Sequence, residues 1–195
     1  MSASDRPAEV RRPASDFVRD VESLRTEARR NLGQGAVTAA YGADLDRVLR
    51  MLQQALATEV VCTLRYRQHH YAARGMNAEP VAAEFLQHSQ EELDHAGRIA
   101  ARISQLGGTP DFDPATLTER SHSEYAEAAS LHDMVVENLV AERIAVAAYT
   151  QIIEWLGAGD PTTRRMFEEI LAVEEEHAED LVSLLDSVPG PTATA

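Results

Sequence analysis

Two glutamates on predicted helices of this chain are each followed, three residues later, by a histidine. On a helix, residues three apart lie on one face one turn apart, so each pair directs an oxygen and a nitrogen toward one point. Carboxylate plus imidazole is a ligand set for iron or manganese, and zinc is also possible. The pairs are Glu92 with His95 and Glu174 with His177.

The number of these pairs is by itself weak support for a metal site. With 20 glutamates and seven histidines in 195 residues, three Glu-x-x-His matches occur, whereas about one is expected by chance. The third match, Glu119 with His122, falls in a proline-containing connection rather than on a helix. We interpret it as the chance match.

The spacing of the other two matches is much more specific. Glu59 precedes Glu92 by 33 residues, and Glu142 precedes Glu174 by 32. Each upstream glutamate is followed seven residues later by a tyrosine, so Glu-x6-Tyr and then Glu-x-x-His occurs twice. Two helical hairpins that each supply this set match the arrangement of carboxylate di-iron bundles. The two tyrosines are Tyr66 and Tyr149.

Helices must position these residues, and hydrophobic periodicity predicts four long ones. They span 44–73, 80–106, 131–156 and 161–186. Short "RGMN" and "GAGD" links join them into two antiparallel pairs, and the connection at 107–130 crosses from one pair to the other. The sequence therefore predicts an all-α antiparallel four-helix bundle with a long crossover between its second and third helices.

The chain outside the bundle is short. Pro7 and Pro13 interrupt a polar stretch at 1–15, which we expect to be a disordered tail. A short N-terminal helix over 16–32 and a linker complete the segment 16–43. The bundle then occupies 44–186, and the proline-containing end at 187–195 is expected to be a flexible tail.

Composition restricts the class of protein. The net charge of −14 points away from nucleic acid, so DNA is not an expected partner. No stretch is long and apolar enough for a membrane span, and the N-terminus lacks the apolar core of a signal peptide. A single cysteine, Cys62, excludes an internal disulfide framework. We expect a cytoplasmic protein with no membrane partner.

The four glutamates and two histidines of the two repeats lie within otherwise apolar helical stripes. Burying one unpaired carboxylate is costly, and burying several together is worse unless cations neutralise them. A metal site is therefore a better interpretation of the pattern than a solvated acidic surface.

These motifs make the chain resemble the ferritin-like superfamily, and most closely the bacterioferritins and the Dps-like mini-ferritins with a bacterioferritin-type site. The resemblance covers about residues 44–186, including "ATEVVCTLRY", "EELDHAGRIAARI", "NLVAERIAVAAY" and "EEEHAEDLVSLL". It implies two iron ions per subunit. One is held by Glu59 and His95 and the other by Glu142 and His177, and Glu92 and Glu174 bridge them. By the same resemblance Tyr66 lies beside the site as a hydrogen-bond donor or electron source, with Tyr149 as its pseudo-symmetric mate.

Two departures from the family pattern matter. Bacterioferritins bind haem through a methionine directly after the first motif glutamate, and this chain has Leu93 there, so haem is not expected. The 24-subunit ferritins usually add a fifth short helix, whereas only 18 residues follow His177. We therefore expect a homo-oligomer that forms a 12-subunit cage rather than a 24-subunit one.

The resemblance implies a ferroxidase that oxidises Fe(II) to Fe(III) with O2 or H2O2, stores iron in a hollow cage and protects against oxidative damage. One alternative is a non-storage di-iron oxidoreductase, either a rubrerythrin-like peroxidase or a hydroxylase. The CxxC module usual in rubrerythrins is absent from this chain. A second alternative is a structural DNA-coating protein, against which the intact repeated motifs and the acidic charge argue.

Other residues near the motifs receive a plainer interpretation. His88, one turn before Glu92, is expected to be a hydrogen-bonded helix histidine rather than a further ligand. Cys62 is expected to be a core residue without a redox role. The neighbouring acids are expected to face solvent or another subunit, or in part to line a cation channel. They are Glu91, Glu175, Glu176 and Glu179.

Overall fold

The computed structural model describes residues 21–33, 35–75, 77–188 and 190. The chain divides into two compact units, at 1–35 and 36–195. The first contains α1 (Val21–Arg30), none of whose residues is buried. The predicted tail at 1–15, residues 16–20 of the predicted N-terminal helix and most of the predicted tail at 187–195 lie outside the described residues.

The second unit contains all the remaining helices. They are α2 (Leu45–Ala72), α3 (Ala78–Gln105), the single turn α4 (Leu117–Arg120), α5 (Leu131–Leu156) and α6 (Pro161–Ser187). Helix α2 packs on α3, and α5 packs on α6. The two pairs contact each other where α2 meets α5 and where α3 meets α6. The predicted all-α four-helix bundle with a long crossover is confirmed. None of the described helices is long and apolar enough to cross a membrane.

Local capping explains where three of the long helices begin. The side chains of Asp44, Ser130 and Asp160 accept hydrogen bonds from backbone N–H groups three residues on, at 3.0, 3.1 and 2.9 Å. Helix α3 begins at Ala78, two residues before the predicted start at Pro80. The proline is tolerated there because N–H groups of the first helical turn have no intrahelical acceptor.

The crossover is held along α2. Leu117 in α4 is buried, and Arg120 donates to the carbonyl of Gln53 at 3.1 Å. Farther on, the backbone N–H of His122 donates to Thr58 Oγ1 at 2.9 Å. These contacts explain how a connection without a long helix keeps a fixed path from one hairpin to the other.

Most of the buried apolar residues form two layers. One layer joins residues such as Leu52, Ile99, Phe167 and Ile170, and the other joins residues such as Phe85, Val135 and Leu181. Along every long helix the chain passes from one layer to the other, and a polar segment lies between them. The residues of that segment are Glu59, Glu92, His95, Glu142, Glu174 and His177.

Candidate metal centre

The structure brings the six predicted ligand residues together in the middle of the bundle. Helices α2 and α5 each contribute one glutamate, and α3 and α6 each contribute a Glu-x-x-His pair. None of the six is more than 3% exposed. Four carboxylates and two imidazoles therefore share one site that is shielded from water.

The six side chains form two overlapping sets of four, in each of which one ligand atom per residue lies within 4.8 Å of the others. The first set is Glu59, Glu92, His95 and Glu174, and the second is Glu92, Glu142, Glu174 and His177. The two sets share Glu92 and Glu174. That overlap has the form of two adjacent ion sites joined by two bridging carboxylates.

The histidine nitrogens that face the cluster are both Nδ1. His95 Nδ1 lies 3.0 Å from Glu174 Oε1 and 3.4 Å from Glu59 Oε2. His177 Nδ1 lies 3.6 Å from Glu92 Oε1 and 3.9 Å from Glu174 Oε2. Two ligands bound at about 2.1 Å to one ion are about 3–4 Å apart, so these separations suit ion binding with little movement.

The polar atoms of this cluster lack the partners that buried groups normally have. Among the described residues, seven of its buried oxygen and nitrogen atoms have no hydrogen-bond partner, although such groups are paired in most folded proteins. They belong to all six residues and include both carboxylate oxygens of Glu174 and both Nδ1 atoms. A pair of cations fits this set because it would satisfy the lone pairs.

Burial and mutual repulsion set the protonation of the carboxylates. Burial raises the pKa of Glu92 well above its ordinary value, and the carboxylates of Glu174 and Glu59 raise it further. The pKa of Glu174 is raised for the same reasons, with Glu59 and Glu142 as the neighbouring charges. Burial also acts to raise the pKa of Glu59, but interactions with Glu92 and His95 more than offset it and the pKa is lowered.

Two buried tyrosines connect the hairpins across the cluster. The Tyr66 hydroxyl on α2 donates to Glu142 Oε1 on α5, and the Tyr149 hydroxyl on α5 donates to Glu59 Oε1 on α2. Burial and the adjacent carboxylates raise the pKa of both phenols well above the ordinary value. Each tyrosine therefore stays protonated at neutral pH and orients one carboxylate of the opposite hairpin.

Glu91 is a contact of the cluster that the sequence did not identify. Its Oε2 lies 2.8 Å from Nε2 of His177. A carboxylate that accepts the Nε2 proton leaves the Nδ1 lone pair directed at Glu92, which is the tautomer that a metal ligand needs. The prediction that Glu91 simply faces solvent or another subunit is incomplete, because α6 brings His177 within its reach.

His88 also contacts the cluster more closely than the sequence indicated. Its ring is fully buried, stacks on His177 with a centroid separation of 4.0 Å, and its Nδ1 lies 3.1 Å from the Tyr66 hydroxyl. Burial, together with the neighbouring His177, lowers the pKa of His88 to about 3. The ring is therefore neutral at physiological pH.

A second buried polar group, which contains Arg65, lies next to the cluster. Arg65 donates to Asn138 Oδ1 at 2.9 Å and to the backbone carbonyl of Glu124 at 2.8 Å. Asn138 in turn contacts Nδ1 of His69 at 3.0 Å. Burial raises the pKa of the adjacent Cys62 to about 12, so its thiol is protonated at neutral pH.

Two sequence features and one groove lie apart from the cluster. Glu119 is exposed and His122 is partly buried in the crossover, and neither belongs to the two ligand sets. Leu93, at the position where the family resemblance places a haem methionine, is 54% exposed. A large groove of about 1140 Å³ between α2 and α5 is lined by residues that include Arg47, Arg143 and Trp155, and none of the six cluster residues lines it.

Comparison with known proteins gives consistent matches. The family model of the Ferritin-like domain matches residues 49–190. Bacterioferritin of Desulfovibrio desulfuricans is 26% identical over 67% of this chain and 70% of its own length. The DNA protection during starvation protein of Pyrococcus furiosus is 28% identical over 76% of this chain and 82% of its own. The solved structure of a dodecameric thioferritin, the bacterioferritin-related protein of Bacteroides fragilis, superposes with a TM-score of 0.72 at 30% identity, covering 75% of this chain and 88% of that one.

Proposed function

This chain belongs to the ferritin-like family, and from that premise we propose that it is a ferroxidase. It binds two Fe(II) ions as substrate between the four long helices and oxidises them to Fe(III) with O2 or H2O2. One observation carries the proposal: two overlapping sets of buried ligands share Glu92 and Glu174, and their facing atoms have no hydrogen-bond partner among the described residues.

Charge supports a pair of divalent ions. Four ionised carboxylates place four negative charges in the cluster, and two Fe(II) ions cancel them. Without ions, part of that charge is avoided by proton uptake, because the pKa values of Glu92 and Glu174 are raised by burial. Iron binding then releases these protons, so iron affinity should increase with pH.

Each ligand has a role in the proposed site. Glu59 and His95 hold one ion, and Glu142 and His177 hold the other. Glu92 and Glu174 bridge the ions, since they alone belong to both sets. Tyr66 and Tyr149 keep the terminal carboxylates Glu142 and Glu59 in position through their hydrogen bonds, and Glu91 fixes the ring of His177.

Binding two ions side by side matches the electron requirement of the oxidant. Each Fe(II) gives one electron, so the pair supplies the two electrons that reduce O2 to H2O2 or H2O2 to two waters. Both reductions consume two protons. Carboxylates are hard ligands, which suits the Fe(III) product. The apolar layers on both sides of the cluster exclude bulk water from the reaction.

We further propose that the oxidised iron is stored inside a homo-oligomeric cage of 12 subunits. The bacterioferritin-related protein of Bacteroides fragilis is described as dodecameric, and it is similar to this chain over 88% of its length. The acidic net charge of −14 would provide oxygen ligands for mineral at an inner surface.

Size-exclusion mass measurement together with aerobic Fe(II) addition tests the function. We expect a 12-subunit mass, rapid oxidation of the first two Fe(II) per chain and retention of many more irons as Fe(III). Glu92→Gln with Glu174→Gln should abolish the rapid phase while the helical circular dichroism is unchanged. A monomer that retains no mineral refutes storage, and unchanged oxidation in the double variant refutes the assignment of the site.

A further inference from the structure

A second group of ligand atoms lies one helical turn from the cluster, toward the surface of the bundle. Glu84 and His88 are four residues apart on α3, and Asp180 on α6 follows His177 by three. One ligand atom from each of Glu84, His88 and Asp180 lies within 4.8 Å of the others. None of these three residues belongs to the two sets that form the proposed ferroxidase site.

The buried histidine of this group points an unpaired nitrogen at two carboxylates. His88 Nε2 lies 3.3 Å from Glu84 Oε1 and 3.8 Å from Asp180 Oδ2. The side chain is fully buried, yet among the described residues Nε2 has no hydrogen-bond partner of proper geometry. A lone histidine near acidic residues is common, but an unpaired buried nitrogen directed at them requires an explanation.

The other edge of the ring decides which nitrogen carries the proton. The Tyr66 hydroxyl uses its single proton to bond Glu142, so the hydrogen bond between Tyr66 and His88 Nδ1 must be donated by His88. A neutral imidazole has one N–H, and Nε2 is then a lone pair. A lone pair facing two carboxylates is repulsive, and a cation between them would remove that repulsion.

We propose that Glu84, His88 and Asp180 form a third cation site, which binds a divalent transition-metal ion such as Fe(II) or Zn(II). Ligands at about 2.1 Å from one ion lie about 3–4 Å apart, and the distances from Nε2 fall in that interval. The imidazole nitrogen favours such ions over Mg²⁺ and Ca²⁺, which prefer oxygen ligands alone.

The third site lies between solvent and the ring of His177. The side chains of Glu84 and Asp180 are 31% and 45% exposed, whereas His88 has no exposure. On its inner side the His88 ring stacks on His177, whose Nε2 is held by Glu91. An ion bound at the third site would therefore contact solvent on one side, and the stacked rings of His88 and His177 would lie on the other.

Zinc titration of the metal-free, full-length protein by calorimetry, with the bound metal counted after dialysis, tests the third site. Zinc is used because it is not oxidised. We expect three Zn²⁺ per chain in the wild type and two in Glu84→Gln with Asp180→Asn. The matched control, Asp94→Asn with Glu175→Gln, removes the same charge from exposed positions of the same two helices and should still bind three.

The ferroxidase site is counted separately in the same assay. Glu92→Gln with Glu174→Gln should leave one Zn²⁺ per chain, which the additional exchanges Glu84→Gln and Asp180→Asn remove. Equal stoichiometry in the wild type and in Glu84→Gln with Asp180→Asn overturns the third site but leaves the proposed ferroxidase site intact. Loss of one Zn²⁺ in the Asp94 and Glu175 control overturns it as well, because general surface charge would then explain the binding.

Discussion

Replacing Glu92 and Glu174 with glutamine is expected to stabilise the metal-free protein at neutral pH. Both carboxyls have a pKa well above their ordinary value of 4.5, because they are buried among other carboxylates. A glutamate that is protonated when folded and ionised when unfolded must take up a proton on folding. At 1.36 kcal/mol per pH unit, that uptake costs up to about 3 kcal/mol for one group between pH 4.5 and pH 7.

The two groups interact, so they titrate as a pair and the gain is not simply doubled. We therefore expect the free energy of unfolding of the double variant to exceed that of the wild type by about 3 kcal/mol or somewhat more at pH 7. The pH dependence has a defined sign. A raised folded-state pKa contributes stability that is fully present below the unfolded pKa and is lost as pH rises through the folded pKa. The free energy of unfolding of the wild type should therefore fall as the pH rises above about 5, whereas that of the variant should change little.

Urea denaturation in the presence of a chelator measures both effects through the free energy of unfolding. The control is again Asp94→Asn with Glu175→Gln, which should follow the wild type at every pH because both side chains are exposed. Zinc at about 100 times its dissociation constant should make the wild type more stable than the double variant, since each occupied site adds about 2.7 kcal/mol to the free energy of unfolding of the wild type. Parallel pH profiles for wild type and double variant would refute the assignment of buried, repelling carboxylates.

Three further predictions follow from the contacts of the cluster. Tyr66→Phe leaves Glu142 without its hydrogen-bond donor and should lower the initial rate of Fe(II) oxidation about 10–100-fold. The surface exchange Tyr125→Phe should leave that rate unchanged. Equal rates in Tyr66→Phe and the wild type would contradict a positioning role for Tyr66. Glu91→Gln weakens the acceptor of the His177 Nε2 proton and should reduce zinc affinity about tenfold by calorimetry, and an unchanged affinity would remove Glu91 from the site. Because of the net charge of −14, duplex DNA should not be retained in a gel shift at about 0.15 M salt; retention would reverse that expectation.

The bundle could be predicted from sequence because strong local signals agree. Proline and glycine mark the helix ends at Gly157 and Pro161, and the capping residues Ser130 and Asp160 precede α5 and α6. The start of α3 was misplaced because a proline is tolerated at several positions of the first turn. Here the structure uses Pro80 as the third helical residue.

The convergence of the six cluster residues could also be predicted, since the repeated spacing requires them to meet when the hairpins pack. The surroundings of the cluster could not be predicted in the same way. Glu91 and Asp180 act through residues on another helix, and whether they reach His177 and His88 depends on how α3 and α6 are rotated against each other. A hydrophobic stripe defines that rotation only to within a broad face, which is too coarse to place a carboxylate against a particular nitrogen.

Crystals soaked anaerobically with Fe(II), with anomalous diffraction recorded at the iron edge, test the central claim most directly. The account predicts two peaks per chain within the cluster of six ligands, about 3.5–4 Å apart, separate from any peak at Glu84, His88 and Asp180. One should lie near Nδ1 of His95 and the other near Nδ1 of His177, with Glu92 and Glu174 between them. A single peak in the cluster, or peaks only at the protein surface, would contradict the assignment of a two-iron site.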